Sequence, residues 1–193
     1  MLLKEAKVEN RIPWNLALAL AKEIIKKLGL KYIAPDEVGP TMIGRPNCGI
    51  PVGSIRQEKS TIGDIDILAT KQITESDVEK IDGVKKMTSR GSSQIFFDYE
   101  SDKLKVERPV NIWILKHMQH FGGMMMHTTG PQMYNIQLRR IAKKEGNKAN
   151  QYGVFDSSEK QLGGDTEESY YKALKTDKWP NGKQWKEPKL RGK

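Results

Sequence analysis

Two short runs in this sequence hold residues whose types and spacing could do chemistry. The first is Gly53-Ser54-Ile55-Arg56, and the second is Gly63-Asp64-Ile65-Asp66. The stretch around the second run, Ile62 to Leu68, alternates acidic and apolar residues at the strand period. Residues two apart on a strand face the same side, so Asp64 and Asp66 present adjacent carboxylates. Two carboxylates that close repel each other unless a cation lies between them. Mg2+ suits such a pair, because it takes one or two carboxylates together with substrate phosphates. The Gly-Ser turn upstream can offer backbone N–H groups and a hydroxyl to phosphate oxygens. An acidic pair alone reads as a solvated strand surface. With a phosphate-binding turn ahead of it, the pair points to metal-assisted phosphoryl or nucleotidyl transfer.

The elements that must position these residues can be read from periodicity. Residues 11–29 carry a helical pattern, with Pro13 in the first turn, an i+4 stripe of Leu16, Leu20, Ile24 and Leu28, and Gly29 as a stop. Residues 35–53, punctuated by Pro35, Gly39, Pro40, Gly44, Pro46, Gly49, Pro51 and Gly53, read as one long loop of the kind that is functional or mobile. Residues 62–68 form a strand. Thr74 with Asp77 marks the start of a short helix over 75–81. Strands follow at 94–99 and 110–115, separated by a charged turn near Asp102. A helix over 131–144 places Tyr134, Leu138 and Ile141 on one face and Asn135, Arg139 and Lys143 on another. A last short helix spans 165–174, and 177–193 reads as an irregular basic tail. The order predicts an α+β fold: a catalytic layer over 1–120, a mixed sheet flanked by helices, and a smaller C-terminal subdomain over 121–193. The boundary falls within the His- and Met-rich stretch 116–130.

Composition narrows the class of partner. Over 193 residues Lys and Arg total 33 against 24 Asp and Glu, a net charge of +9, which favours an anionic partner, nucleic acid before acidic membrane. The excess is uneven: residues 131–193 hold 14 Lys/Arg and 8 Asp/Glu, whereas residues 1–130 hold 19 and 16. A single cysteine, Cys48, excludes an intrachain disulfide framework and a cysteine-based zinc finger. It reads as incidental rather than nucleophilic. Lys22 and Glu23 interrupt the longest early apolar stretch, so neither a transmembrane span nor a signal peptide is expected, and the chain reads as a soluble intracellular protein without a membrane partner. His117 and His120 share a helical spacing but have no third ligand type beside them. The Met124–Met126 run reads as packing or a hinge.

Taken together, the motifs resemble the nucleotidyltransferase superfamily and, within it, the family X DNA polymerases. Gly53-Ser54 followed by Asp64-x-Asp66 is similar to the superfamily signature. Arg11-Ile12-Pro13 matches the start of the family's palm, Thr129-Gly130 with Asn135 and Arg139 resembles its Thr-Gly turn and nucleotide-binding helix, and Asn150-Gln151-Tyr152-Gly153 resembles the strand after it. Trp185 to Arg191 is similar to the family's closing Pro-x-Leu-Arg tail. The likeness is greatest to the minimal viral members, which consist of palm and C-terminal subdomains.

The resemblance implies a role for each matched position. Two divalent ions, Mg2+ with Mn2+ as an alternative, would be held by Asp64, Asp66 and the residue at 111. Arg11, Gly53, Ser54 and Gly63 would bind the triphosphate of an incoming dNTP. Thr129, Gly130 and Asn135 would lie along its sugar and base, with His127 at the same pocket. Arg139 would reach toward the templating strand, and the basic excess of the C-terminal part, rather than the resemblance, adds Arg140, Lys143 and Lys144 on DNA phosphates. Arg56 is expected to support the Gly-Ser turn rather than touch substrate. The implied reaction joins a dNTP to a primer 3′-OH on gapped or primer-template DNA, in gap-filling repair by a monomeric enzyme.

Three departures stand out. The position of the third metal-binding aspartate is Asn111, so this chain is expected to be inactivated there. Gln57 replaces a second triphosphate-binding arginine, and His127-Thr128 replaces the aromatic pair before the Thr-Gly turn. A nucleotidyltransferase acting on RNA or protein, or a catalytically dead nucleic-acid-binding homologue, are the alternative readings.

Overall fold

The computed structural model describes residues 11–176. Near its start, Arg11-Ile12-Pro13 does not enter a helix. Ile12–Pro13 form a short strand, β1, and helix α1 runs Trp14–Lys27 with Pro13 as its N-cap. Pro13 holds an extended ψ of 148° there, which pairs with a neighbouring strand but cannot continue a helix. Leu20, Ile24 and Leu28 are buried as the stripe requires, and Gly29 turns the chain at φ +66°.

Residues 35–53 are not one loop. After β2 (Lys31–Tyr32) and a 3-10 turn at Pro35–Glu37, residues Cys48–Pro51 form a fully buried strand, β3. A strand buried on both faces shows no polar alternation, and its Gly49 and Pro51 read as loop residues in sequence. A Cβ on Gly49 would collide with Ile25 of α1, so the glycine is what lets the helix lie on the sheet. Cys48 therefore sits in this strand, buried. The short helix α2 (Gly53–Arg56) and β4 (Thr61–Ile62) follow, and then β5 (Ile65–Ala69). The predicted continuous strand over 62–68 is thus broken at Gly63-Asp64. Helix α3 (Glu75–Glu79) begins with the predicted capping box between Thr74 and Asp77. Strand β6 (Val84–Ser89), an edge strand with no buried residue and no apolar alternation to announce it, precedes the long hairpin of β7 (Gln94–Ser101) and β8 (Val106–Ile114).

These strands form a six-stranded mixed sheet in the order β2-β3-β5-β8-β7-β6. β5 and β8 are parallel neighbours at its centre. Ile65, Ile67, Ile95, Phe97, Val110 and Ile112 point from one face into a core completed by Leu20 and Ile24 of α1. By alternation Asp66, Phe96, Asn111 and Trp113 project from the opposite face.

Within the stretch 116–130 lies a buried helix, α4 (Phe121–Thr129), entered from a 3-10 turn at Met118–His120. Phe121, Met124 and Met125 pack with Ile50 and Leu68 of the sheet, while Met126 packs with Tyr134 and Leu138 on the other side. The methionines are packing residues. Gly122 and Gly123 let other backbones approach: a Cβ on Gly122 would strike Thr166, and one on Gly123 would strike residues 151–153. Beyond α4 lie α5 (Gln132–Lys144), a three-stranded antiparallel sheet of β9 (Lys148–Asn150), β10 (Gly153–Phe155) and β11 (Gln161–Gly163), and α6 (Glu167–Ala173). The Trp185 to Arg191 motif and the basic tail lie outside the described residues. No helix among the described residues is long and apolar enough to cross a membrane.

Candidate active site

The centre of the open sheet face brings three sequence-predicted residues together. Asp66 on β5 is the direct cross-strand partner of Asn111 on β8. The Asn111 Nδ2 donates to Asp66 Oδ1 at 3.0 Å and to Asp64 Oδ2 at 3.3 Å. Asp64 reaches this point from the turn before β5, not from the strand itself. A residue that sequence reasoning missed completes the group: Trp113 Nε1 donates to Asp66 Oδ1 at 3.3 Å. Its signal was available, since Trp113 lies two residues beyond Asn111 and hence on the same face. Burial, and then the neighbouring Asp64 charge, push the Asp66 carboxyl up to about 6, against the opposing hydrogen bonds from Asn111 and Trp113.

The Gly53-Ser54 turn packs directly on these carboxylates. Gly53 has φ +56°, and a Cβ there would collide with the Asp66 carboxylate. The Val52 N–H donates to the Asp66 carbonyl at 2.9 Å, fixing the turn to β5. Arg11 is brought alongside by the pairing of β1 with β4. Its Nε donates to Thr61 Oγ1 at 3.0 Å, and a Cβ on Gly63 would lie 3.1 Å from its Nη1. The exposed Arg11 and the Gly63 backbone thus share one edge of the site.

Arg56 does not face this edge. It is buried, with its guanidinium donating to both carboxylate oxygens of Glu167 at 2.8 Å, to Thr129 Oγ1 at 3.1 Å and to the Val38 carbonyl at 3.3 Å. These bonds tie α2 to the start of α6 and to the end of α4. Glu167 was missed, and no local signal could reveal it, because the pair is joined across 111 residues of chain. Burial pushes the Glu167 carboxyl up while the Arg56 charge opposes that. Thr129 is fully buried under Arg56, so of the Thr-Gly turn it is Gly130 that lines the cleft.

That cleft, of about 350 Å³, is walled by Trp113, His127, Gly130, Asn135, Ile136 and Arg139. His127 is half-buried, stands edge-on to Trp113 with ring centroids 5.6 Å apart, and has its Nδ1 3.5 Å from Arg139 Nη2. Burial and then the Arg139 charge push its pKa down, which favours the neutral ring. Asn135 Nδ2 donates to the His127 carbonyl at 2.9 Å. Arg139, Arg140, Lys143 and Lys144 all lie on the exposed side of α5. His117 and His120 stack edge-on at 5.4 Å, away from these groups.

The donor set can be tested against a divalent ion. Two half-buried carboxylates converge beside the Gly53-Ser54 turn, and the like charge that adds to burial in raising Asp66 is what a cation would relieve. The set fits one ion that shares substrate phosphates. Among the described residues no cluster of three His, Cys, Asp or Glu is gathered, because the third position is an amide.

Known proteins match the same regions. The DNA polymerase beta thumb family matches residues 124–192. The DNA polymerase/3'-5' exonuclease PolX of Bacillus subtilis is 28% identical over 109 residues, covering 53% of this chain and 18% of that protein. Polymerase beta of Leishmania infantum, crystallised as a ternary P/T complex, superposes with a TM-score of 0.69 at 15% identity, covering 90% of this chain and 76% of the other. The likenesses are to family X DNA polymerases: to the beta thumb over residues 124–192, to a stretch of PolX, and in fold to polymerase beta. The chain spans about a fifth of the length of the curated relative. Its α+β fold, a mixed sheet flanked by helices, is the polymerase beta fold. The sheet face thus holds two carboxylates, Asp64 and Asp66, with the Asn111 amide donating to both.

Proposed function

We propose that this chain binds a dNTP and a primer-template or gapped DNA across the cleft, as the nucleotidyltransferase core of a DNA polymerase in gap-filling repair, with Asn111 holding turnover low. The observation that carries this reading is the convergence of Asp64, Asp66 and position 111 between the Gly53-Ser54 turn and the Trp113–His127 wall. Asp64 and Asp66 would hold a divalent ion, Mg2+ or Mn2+, which when bound offsets the triphosphate charge. Arg11, Gly53, Ser54 and Gly63 bind and orient the phosphates. His127, Gly130 and Asn135 flank the sugar and base, with Thr129 fixing the turn from beneath. Arg139, Arg140, Lys143 and Lys144 take DNA phosphates. Asn111 can donate to the carboxylates but cannot accept the 3′-OH proton. The organisation we assign is a palm over 1–120 and a nucleotide- and template-binding part over 121–193.

A second reading, a nucleic-acid-binding homologue without catalysis, draws on the same amide. Its N–H groups occupy the space between the carboxylates where a cation would otherwise stand. Primer extension with Mg2+ or Mn2+ on gapped and single-stranded primers, by the chain as it is and by Asn111→Asp, separates the two. The Asn111→Asp form is expected to extend at least about a hundredfold faster, the low end of what a general base contributes. No extension by either form on any primer overturns the polymerase reading, and tight DNA binding without turnover by Asn111→Asp favours the second.

A further inference from the structure

The residue after Arg56 lies where the phosphate turn meets the nucleotide-side wall of the cleft. Thr129 ends α4, and the last carbonyls of a helix lack intrahelical donors. Gln57 Nε2 donates to that Thr129 carbonyl. Arg56 Nη1, one residue earlier, donates to the Thr129 hydroxyl at 3.1 Å. Thr129 is thus gripped at side chain and backbone by two consecutive residues. Arg56 is itself immobilised, 6% exposed against a Glu167 that is 1% exposed.

The grip has an electrostatic corollary. Of positions 11, 56 and 57, only Arg11 offers a guanidinium to the phosphate edge. Arg56 is spent on Glu167, and Gln57 is neutral and turned to Thr129. A bidentate guanidinium is the strongest side-chain device for holding a terminal phosphate, and an amide is no substitute for it. The opposite wall is by contrast already assembled, since Gly130 follows the gripped residue and Asn135 holds the His127 carbonyl. Preassembly removes ordering cost on that side.

We propose that Gln57 is a positioning residue that fastens the Thr129–Gly130 turn to the phosphate turn. On the nucleotide reading given above, the site then selects its ligand on the sugar and base side and discriminates weakly on the length of the phosphate chain.

Two measurements test the two halves separately. Hydrogen exchange of the 128–130 amides is read in the full chain, in Gln57→Ala and in Gln57→Glu, which cannot donate. Both variants are expected to exchange there about tenfold faster with β5 unchanged, the signature of local opening rather than global loss. Unchanged protection at 128–130 overturns the fastening role.

Equilibrium binding of dNTP and dNDP with Mn2+ is then compared. The chain as it stands is expected to favour the triphosphate by less than about fivefold, and Gln57→Arg by about tenfold or more, as an added charge-assisted pair would give. A larger preference in the unaltered chain, or none gained by Gln57→Arg, overturns the selectivity. Binding of neither nucleotide by any form overturns the nucleotide reading and the selectivity with it, while the exchange result still decides the fastening role.

Discussion

Burial, and then the neighbouring Asp64 charge, raise the Asp66 carboxyl against the hydrogen bonds that Asn111 and Trp113 donate to it. With its pKa raised to about 6, the fold favours the protonated form of this group over the unfolded chain. Its contribution to stability is therefore present below the ordinary carboxylate range and is lost as pH rises through about 6. Thermal melts of the metal-free protein between pH 4 and 7 should show this slope, and Asp66→Asn should flatten it. Mn2+ affinity, which needs the ionised form, should weaken on acidification below about 6. His127 allows a separate check. Its ring lines the cleft beside Trp113, so His127→Ala should raise the apparent KM for nucleotide or alter ribonucleotide acceptance. Unchanged values for both would remove it from the pocket. Asp66 was legible from strand alternation and Asp64 from its spacing beside it, both local properties, whereas position 111 was reached only through the family resemblance. Glu167 was not legible, because its whole meaning lies in Arg56, far away along the chain.

Among the elements, α2 and α6 are joined by that one buried ion pair. Removing a single partner of a buried pair leaves the other desolvated, which typically costs about 3–5 kcal/mol. Denaturant unfolding of Glu167→Ala should show a loss of that order, whereas Arg56→Met with Glu167→Leu should recover much of it. A loss no larger than that of an exposed control such as Lys103→Ala would mean the pair is not structurally important. Helices α1 and α5 and the β7–β8 hairpin could be read from apolar periodicity because each has one buried and one solvated face. β3 escaped because it is buried throughout, and β6 because none of its residues is buried and they give no alternation. The break at Gly63-Asp64 escaped because alternating residues do not reveal where hydrogen bonding stops.

At the scale of the molecule, charge decides how DNA would be held. Residues 131–193 carry a net +6, and the cations of α5 stand exposed beside the cleft. If they neutralise roughly four to six phosphates, the log–log salt dependence of DNA affinity should have a slope of about −4 to −5. A slope near zero would exclude this footprint. The paired glycines of α4 lead to a different consequence, one of folding order. A nine-residue helix with two glycines in its first turn is a poor helix in isolation. The backbones that Gly122 and Gly123 admit come from β10 and its turn and from the start of α6, while the rest of α4 rests on the large sheet. The helix therefore becomes stable only when the partners on both sides have docked, and neither half can complete its core before the other. Calorimetry should accordingly record one cooperative transition for the whole chain, and Gly122→Ala should split or broaden it by wedging α6 away.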